Sequence, residues 1–262
     1  MFVGLPHPGF SVTKMKQFSP SGPPVQPTDG PTLVAIPQWS TEPPTTSLSV
    51  EDRANLAQIS TIVHFRRGDV IHGEERVNAI FIIIAGVAKS WKILENGHTH
   101  ITGFFFSDEF IGMAERGKFI ESATAITEVS AYRVPVIALE RVILNNPFLS
   151  FQMMAKILHR MRDLQRRVYL LSKKSARAKI GYFLKIMTIQ QSVHDDCAQR
   201  LYLPMARIDI ATYIGISPEA VSRGLRELAI TGAIAFPDRH HVEITDPALL
   251  DQIAADLRSS RR

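Results

Sequence analysis

The sequence predicts an α+β chain: an antiparallel β-barrel of jelly-roll type, a long dimerisation helix and a C-terminal winged helix-turn-helix. Three observations predict it. Between Ile59 and Val136, short apolar runs alternate with turns that contain Gly or Asp. From Met154 to Leu171, apolar residues recur at heptad spacing. Between Met205 and Ile230, two helical patterns flank Gly215-Ile216-Ser217.

Ahead of these parts, residues 1–46 carry ten of the sixteen prolines, with Ser19-Pro20-Ser21-Gly22-Pro23-Pro24 among them. Proline lacks a backbone donor and fixes φ, so neither helix nor ladder is sustained and a flexible arm is expected. The expected division is then an arm over 1–46, a barrel over 47–145, a dimerisation helix over 146–172 and the winged helix-turn-helix over 173–262.

Within the barrel, the runs 61–65, 79–84 and 87–91 are separated by Arg67-Gly68-Asp69, Glu95-Asn96-Gly97 and Ser107-Asp108-Glu109. Strands this short, at this spacing, fit a small antiparallel barrel or jelly roll. The helix that follows has a start signal in Asn145-Asn146-Pro147, an Asn cap with Pro in the first turn. Inside it Met154, Ile157, Met161, Leu164, Val168 and Leu171 form a heptad seam, with Arg160, Arg162, Arg166 and Arg167 off it. A strict seam on a long basic helix favours a partner helix, hence a homodimer. A second amphipathic segment spans 175–190, followed by a polar loop over 192–199.

The last part carries the chemistry. Met205 to Ile214 reads as one helix with Ile208, Ala211 and Tyr213 as apolar positions. Gly215 supplies the bend, Ile216 plugs the core, Ser217 caps the next helix and Pro218 opens it. That helix runs to Ile230, burying Val221, Leu225 and Leu228 and presenting Glu219, Ser222, Arg223 and Arg226. Such a second helix fits the major groove, where Arg can donate twice to guanine, Glu can accept from cytosine and Ser can do either. Residues 231–236 and 241–244 bracket Pro237-Asp238-Arg239-His240 as a hairpin wing.

Charge and composition agree with a polyanion partner. The net charge is +5, and Lys/Arg exceed Asp/Glu only in the second half: 12 against 14 over 1–145, 18 against 11 over 146–262. The single cysteine, Cys197, excludes an internal disulfide and a four-cysteine metal or iron–sulfur site. No apolar run is long enough to span a bilayer and no secretory signal is visible, so a cytoplasmic setting is expected.

The segment from Arg207 to Arg223, RIDIATYIGISPEAVSR, resembles the helix-turn-helix of the Crp/Fnr superfamily. Upstream, Phe65-x-x-Gly68-Asp69, Ile83-x-x-Gly86, Gly97 and Phe106-x-Asp108-Glu109-Phe110-Ile111-Gly112 resemble that family's cyclic-nucleotide-binding-like jelly roll. The spacing Glu219-x-x-Ser222-Arg223 resembles the FixK-like branch. The resemblance implies a transcription activator of microaerobic or anaerobic genes that contacts RNA polymerase. It implies an operator of the type TTGAT-N4-ATCAA, with Glu219 and Arg223 as base readers and Ser222, Ser217 and Arg226 beside them.

Departures from the family pattern bear on control. Cyclic-AMP binders clamp the phosphate with Arg-Ser/Thr-Ala, where this chain reads Glu121-Ser122-Ala123. A carboxylate there repels a cyclic phosphate, so no cyclic nucleotide is expected. Oxygen sensors of the family hold an iron–sulfur cluster on N-terminal cysteines that this chain lacks. Haem-binding relatives use His or Cys; His64, His72, His98 and His100 qualify by residue type alone, and no cofactor is expected. Cys197, in the polar loop before the DNA-binding helices, is a candidate redox switch. If Cys197 is exposed near the DNA surface, oxidation there would add bulk and negative charge facing phosphate, while Asp195 and Asp196 oppose thiolate formation and Arg200 favours it.

Two other readings compete. A cupin-like enzyme is suggested by Gly97-His98-Thr99-His100, but the carboxylate ligand that should follow is missing, and no nucleophile triad or phosphate loop appears. A regulator gated by an unidentified small molecule would line its pocket with Phe104, Phe105, Phe106 and Ile111, residues that could equally fill the barrel.

Overall fold

The β-rich part is built from two four-stranded antiparallel sheets lying face to face, not from one closed barrel. The computed structural model describes residues 50–73, 78–112, 114–115, 118–173, 175–191 and 200–255. The Pro-rich segment 1–46 and the loop 192–199 lie outside them.

Helix α1 (Val50–Ile59) leads into β1 (Thr61–Phe65), β2 (Val70–His72), β3 (Ala79–Ala85), β4 (Ala88–Ile93) and β5 (Thr99–Phe105). Then come β6 (Phe110–Ile111), β7 (Ala114–Glu115), β8 (Lys118–Phe119), β9 (Ser122–Ala125) and β10 (Val129–Pro135). One sheet runs β1-β10-β3-β6, the other β2-β9-β4-β5, and β7 pairs with β8. Ile71, Ala88 and Phe105 of one sheet pack against Phe81, Ile83 and Ala131 of the other, forming the core between them. The edge strands of one sheet make no ladder with those of the other, so the jelly roll stays open.

The turns fall where the sequence places them. Gly68 and Gly97 take φ of 93° and 78°, and Asp108 takes 62°, a region open to Asp more readily than to most residues. Gly86, between β3 and β4, has φ 96°, and a Cβ there would collide with the backbone oxygen of Glu128.

Helix α2 (Val136–Asn145) follows β10 without a break, and α3 (Pro147–Ser172) starts after one residue. The Asn146 side chain accepts a hydrogen bond from the Leu149 N–H at 3.0 Å, with Pro147 at the first helical position. Helix α4 (Ala176–Gln191) is more deeply buried than its amphipathic pattern suggested, with Ile180, Phe183, Leu184, Ile186 and Met187 all inside. The chain finishes with β11 (Arg200–Tyr202), α5 (Arg207–Ile214), α6 (Pro218–Ile230), β12 (Ile234–Ala235), β13 (His241–Ile244) and α7 (Pro247–Ala254). Strand β13 pairs with both β11 and β12, giving the wing three strands.

Side chains alternate along β5, and this corrects the expected pocket. Phe105 joins the core between the sheets, together with Ile111. Phe104 and Phe106 point the other way, into a core shared with α4, α5 and α6. The four residues therefore do not line one pocket. None of the helices among the described residues is long and apolar enough to cross a membrane.

Candidate nucleic-acid interface

Helix α5 begins at Arg207, two residues later than the sequence pattern suggested, without a side-chain cap. Its inner face is Ile210, Ala211, Tyr213 and Ile214. Ile208, expected among the apolar positions, is instead 56% exposed, because Ile210 and Ala211 already face the core from the same turn. Gly215 ends the helix at φ 68°, ψ 51°, a left-handed conformation that costs a side-chain-bearing residue about 1–2 kcal/mol. The Ser217 hydroxyl then accepts from the Ala220 N–H at 3.2 Å, satisfying one of the open donors at the start of α6.

Along α6, Val221, Gly224, Leu225 and Leu228 are buried. A Cβ at Gly224 would strike Ile180 of α4, so this glycine lets the two helices approach closely. On the opposite face, Glu219, Ser222, Arg223 and Arg226 stand exposed at i, i+3, i+4 and i+7, a single polar stripe. The Ser222 hydroxyl donates to the Pro218 carbonyl at 3.0 Å. A hydrogen bond from its own backbone N–H, then one from Ser217, holds the Glu219 carboxyl below its usual range, so it accepts hydrogen bonds at neutral pH.

At the tip of the wing, Asp238 accepts from the His240 and His241 backbone N–H groups at 2.8 and 3.0 Å and pairs with Arg200 at 3.2 Å. The His240 N–H leads the contacts that depress the Asp238 carboxyl to about 2. The tip is thereby closed on itself and carries Arg239 beside the two histidines.

Among the described residues, the heptad seam of α3 stays largely uncovered. Met154, Ile157, Met161, Leu164 and Val168 are all exposed, from 41% at Leu164 to 70% at Val168. The other side of the helix differs from its sequence reading. Arg167 lies off the seam as expected, but it is buried with Asp163 and Leu170, and Arg160 lies 4.4 Å over the Phe105 ring. A second stripe, Asp163-Arg167-Leu170 at 4 and 3, was present in the sequence and marks this buried face. Burial pushes the Glu109 carboxyl up to about 7, against the pull of the Arg160 guanidinium. A cavity of about 410 Å³ opens beside this group, lined by Phe105, Phe110, Ile111 and Met153 and by the seam residues Ile157 and Met161.

Glu121 is buried and accepts a hydrogen bond from Thr102, whose hydroxyl also meets Ser90 at 2.6 Å. The position that would clamp a cyclic phosphate is thus occupied by a carboxylate satisfied from within. His64 bonds to Ser130 at 2.9 Å, His72 stacks on Phe119 at 4.0 Å, and His98 is exposed. His100 meets Arg167 through Nε2 at 2.8 Å; since a guanidinium only donates, Nε2 accepts and is closed to a metal. Burial, then Arg167, holds His100 below its ordinary value. Among the described residues, no three His, Cys, Asp or Glu side chains form a group able to hold a metal ion. Cys197 lies outside the described residues.

Comparison with known proteins places both halves. A family model for the Crp-like helix-turn-helix domain matches residues 179–253, and one for the cyclic nucleotide-binding domain matches residues 62–146. The chain is 29% identical to the nitrogen fixation regulation protein FixK of Bradyrhizobium diazoefficiens, over 80% of this chain and 88% of that one. It is 28% identical to the transcriptional activator protein anr of Pseudomonas aeruginosa, over 79% of this chain and 86% of that one. Its fold matches the solved structure of FixK2 from Bradyrhizobium japonicum with a TM-score of 0.66 and 25% identity, over 74% of this chain and 97% of the other.

Proposed function

Because the chain belongs to the Crp/Fnr superfamily of DNA-binding transcription regulators, we propose that it reads a palindromic operator as a homodimer. One observation carries this reading: the exposed stripe Glu219-Ser222-Arg223-Arg226 on a helix whose other face is locked into the core. Ser217 serves the interface by capping the helix that bears the stripe. Two such helices, joined through the uncovered seam of α3, would enter successive major grooves about 34 Å apart. The operator is of the type TTGAT-N4-ATCAA, and the protein acts as an activator of microaerobic or anaerobic genes in the cytoplasm, through RNA polymerase. The divisions proposed for the chain are the arm 1–46, the jelly roll 47–145, the dimerisation helix 146–172 and the winged helix-turn-helix 173–262.

No cyclic nucleotide takes part, a reading supported by the bond from Thr102 to Glu121. Oxidation of Cys197 weakens binding by adding negative charge near phosphate. The test of the main reading is Arg223→Ala in an operator-binding titration. A loss of about 1–3 kcal/mol, with relaxed preference at one base pair per half-site, is expected. Unchanged affinity and discrimination would overturn it.

The cavity beside α3 favours a second reading, a small-molecule effector held against Phe105 and Ile157. Filling it with Ile111→Phe separates the two. Operator binding that survives in the purified variant supports the effector-free reading.

A further inference from the structure

Two contacts tie the first helix of the helix-turn-helix to the jelly roll, and neither belongs to the DNA-reading face. Arg167, on the dimerisation helix, donates through Nη1 to the Thr102 carbonyl at 2.6 Å and through Nη2 to the Ile101 carbonyl at 2.5 Å. The same guanidinium lies 4.5 Å over the ring of Tyr213 on α5. One turn earlier on α5, Asp209 pairs with Lys89 of β4 at 2.6 Å. Both side chains of that pair are largely shielded, at 23% and 13% exposure, so solvent screens it less than a surface pair. Phe104 packs on Tyr213 at 5.1 Å between the two ties.

Three elements meet at these contacts: the helix that joins two copies, the strands β4 and β5, and the helix that carries the turn into α6. We propose that Arg167 and the Lys89–Asp209 pair are positioning residues that fix the angle of the helix-turn-helix to the dimerisation helix. They thereby set the separation of the two reading helices without a bound effector. A guanidinium bonded to two carbonyls holds direction as well as distance, which one apolar contact does not. The idea rests on the homodimeric DNA-reading function proposed above.

Binding to a duplex with both half-sites depends on that angle; binding to a duplex with a single TTGAT depends on one helix-turn-helix alone. Lys89→Asp and Asp209→Lys should each weaken binding to TTGAT-N4-ATCAA about tenfold or more, while single half-site affinity stays within about twofold. The double exchange, Lys89→Asp with Asp209→Lys, should restore most of the palindrome affinity. Arg167→Met should show the same selective loss. Thermal unfolding and sedimentation of each variant report whether it remains a folded dimer. Equal losses on both duplexes, an unchanged palindrome affinity, or no recovery in the exchanged pair would overturn the proposal. Failure of the unaltered chain to bind either duplex would instead overturn the DNA-reading function, and this inference with it.

Discussion

Ile157→Asp tests the proposed dimer in the middle of its seam. Ile157 is 67% exposed on the seam of α3, with Met154 and Met161 one turn away on either side. In a two-helix seam each such side chain meets its own twin, so one substitution enters the interface twice. Losing burial of the isoleucine surface now in water removes about 1.5 kcal/mol per copy. Two carboxylates brought to about 6 Å at an effective dielectric near 20 repel by about 3 kcal/mol. The combined weakening is about 6 kcal/mol, or roughly ten-thousandfold in the dimer dissociation constant. A dimer of nanomolar affinity would then be monomeric at low micromolar concentration. Sedimentation velocity reads this directly, with far-UV circular dichroism confirming that the helices persist. A variant that sediments as the unaltered protein does at one micromolar would refute the assignment of the seam.

Four further outcomes follow from single groups. The folded-state value of Glu109, about 7, lies above its ordinary 4.5. Its contribution is therefore most favourable below pH 4.5 and is lost as pH rises toward 7, by about 3 kcal/mol. Glu109→Gln should gain stability over the unaltered chain as pH rises from 5 to 8; a constant melting-temperature difference would contradict this. Gly215→Ala meets only Leu171 at 3.5 Å and Lys179 at 3.8 Å, so strain of about 1–2 kcal/mol should lower the melting temperature by several degrees. Gly86→Ala, facing backbone, should lose more; a smaller loss would count against the turn geometry. After mild peroxide, Cys197→Ser should retain operator binding that the unaltered chain loses, and equal losses in both would remove the redox switch.

The helix-turn-helix was legible because its signals are local. Gly215, Ser217 and Pro218 lie within four residues, and Val221, Leu225 and Leu228 mark the buried face by spacing alone. The strands β1, β3 and β4 were legible for the same reason: each is an apolar run that ends near a turn residue. What escaped depends on distant partners. Arg167 looks like a surface charge until the carbonyls of Ile101 and Thr102, more than sixty residues away, are placed beside it. Asp209 gives no sign of Lys89, and Thr102 gives none of Glu121, because the packing of α5 on the sheet decides the first meeting and strand order the second. The short strands β2 and β9 leave too brief a pattern to read. Phe104-Phe105-Phe106 reads as one apolar block, whereas a strand sends its middle member to the opposite side.

Selection of bound duplexes from a random DNA pool, with the unaltered chain and Glu219→Gln in parallel, probes the central claim most directly. An inverted repeat close to TTGAT-N4-ATCAA is expected for the unaltered chain. The variant should keep the repeat and its spacing while losing preference at one position of each half-site. Recovery of unrelated sequences without two-fold symmetry, or an identical consensus from both proteins, would contradict that claim.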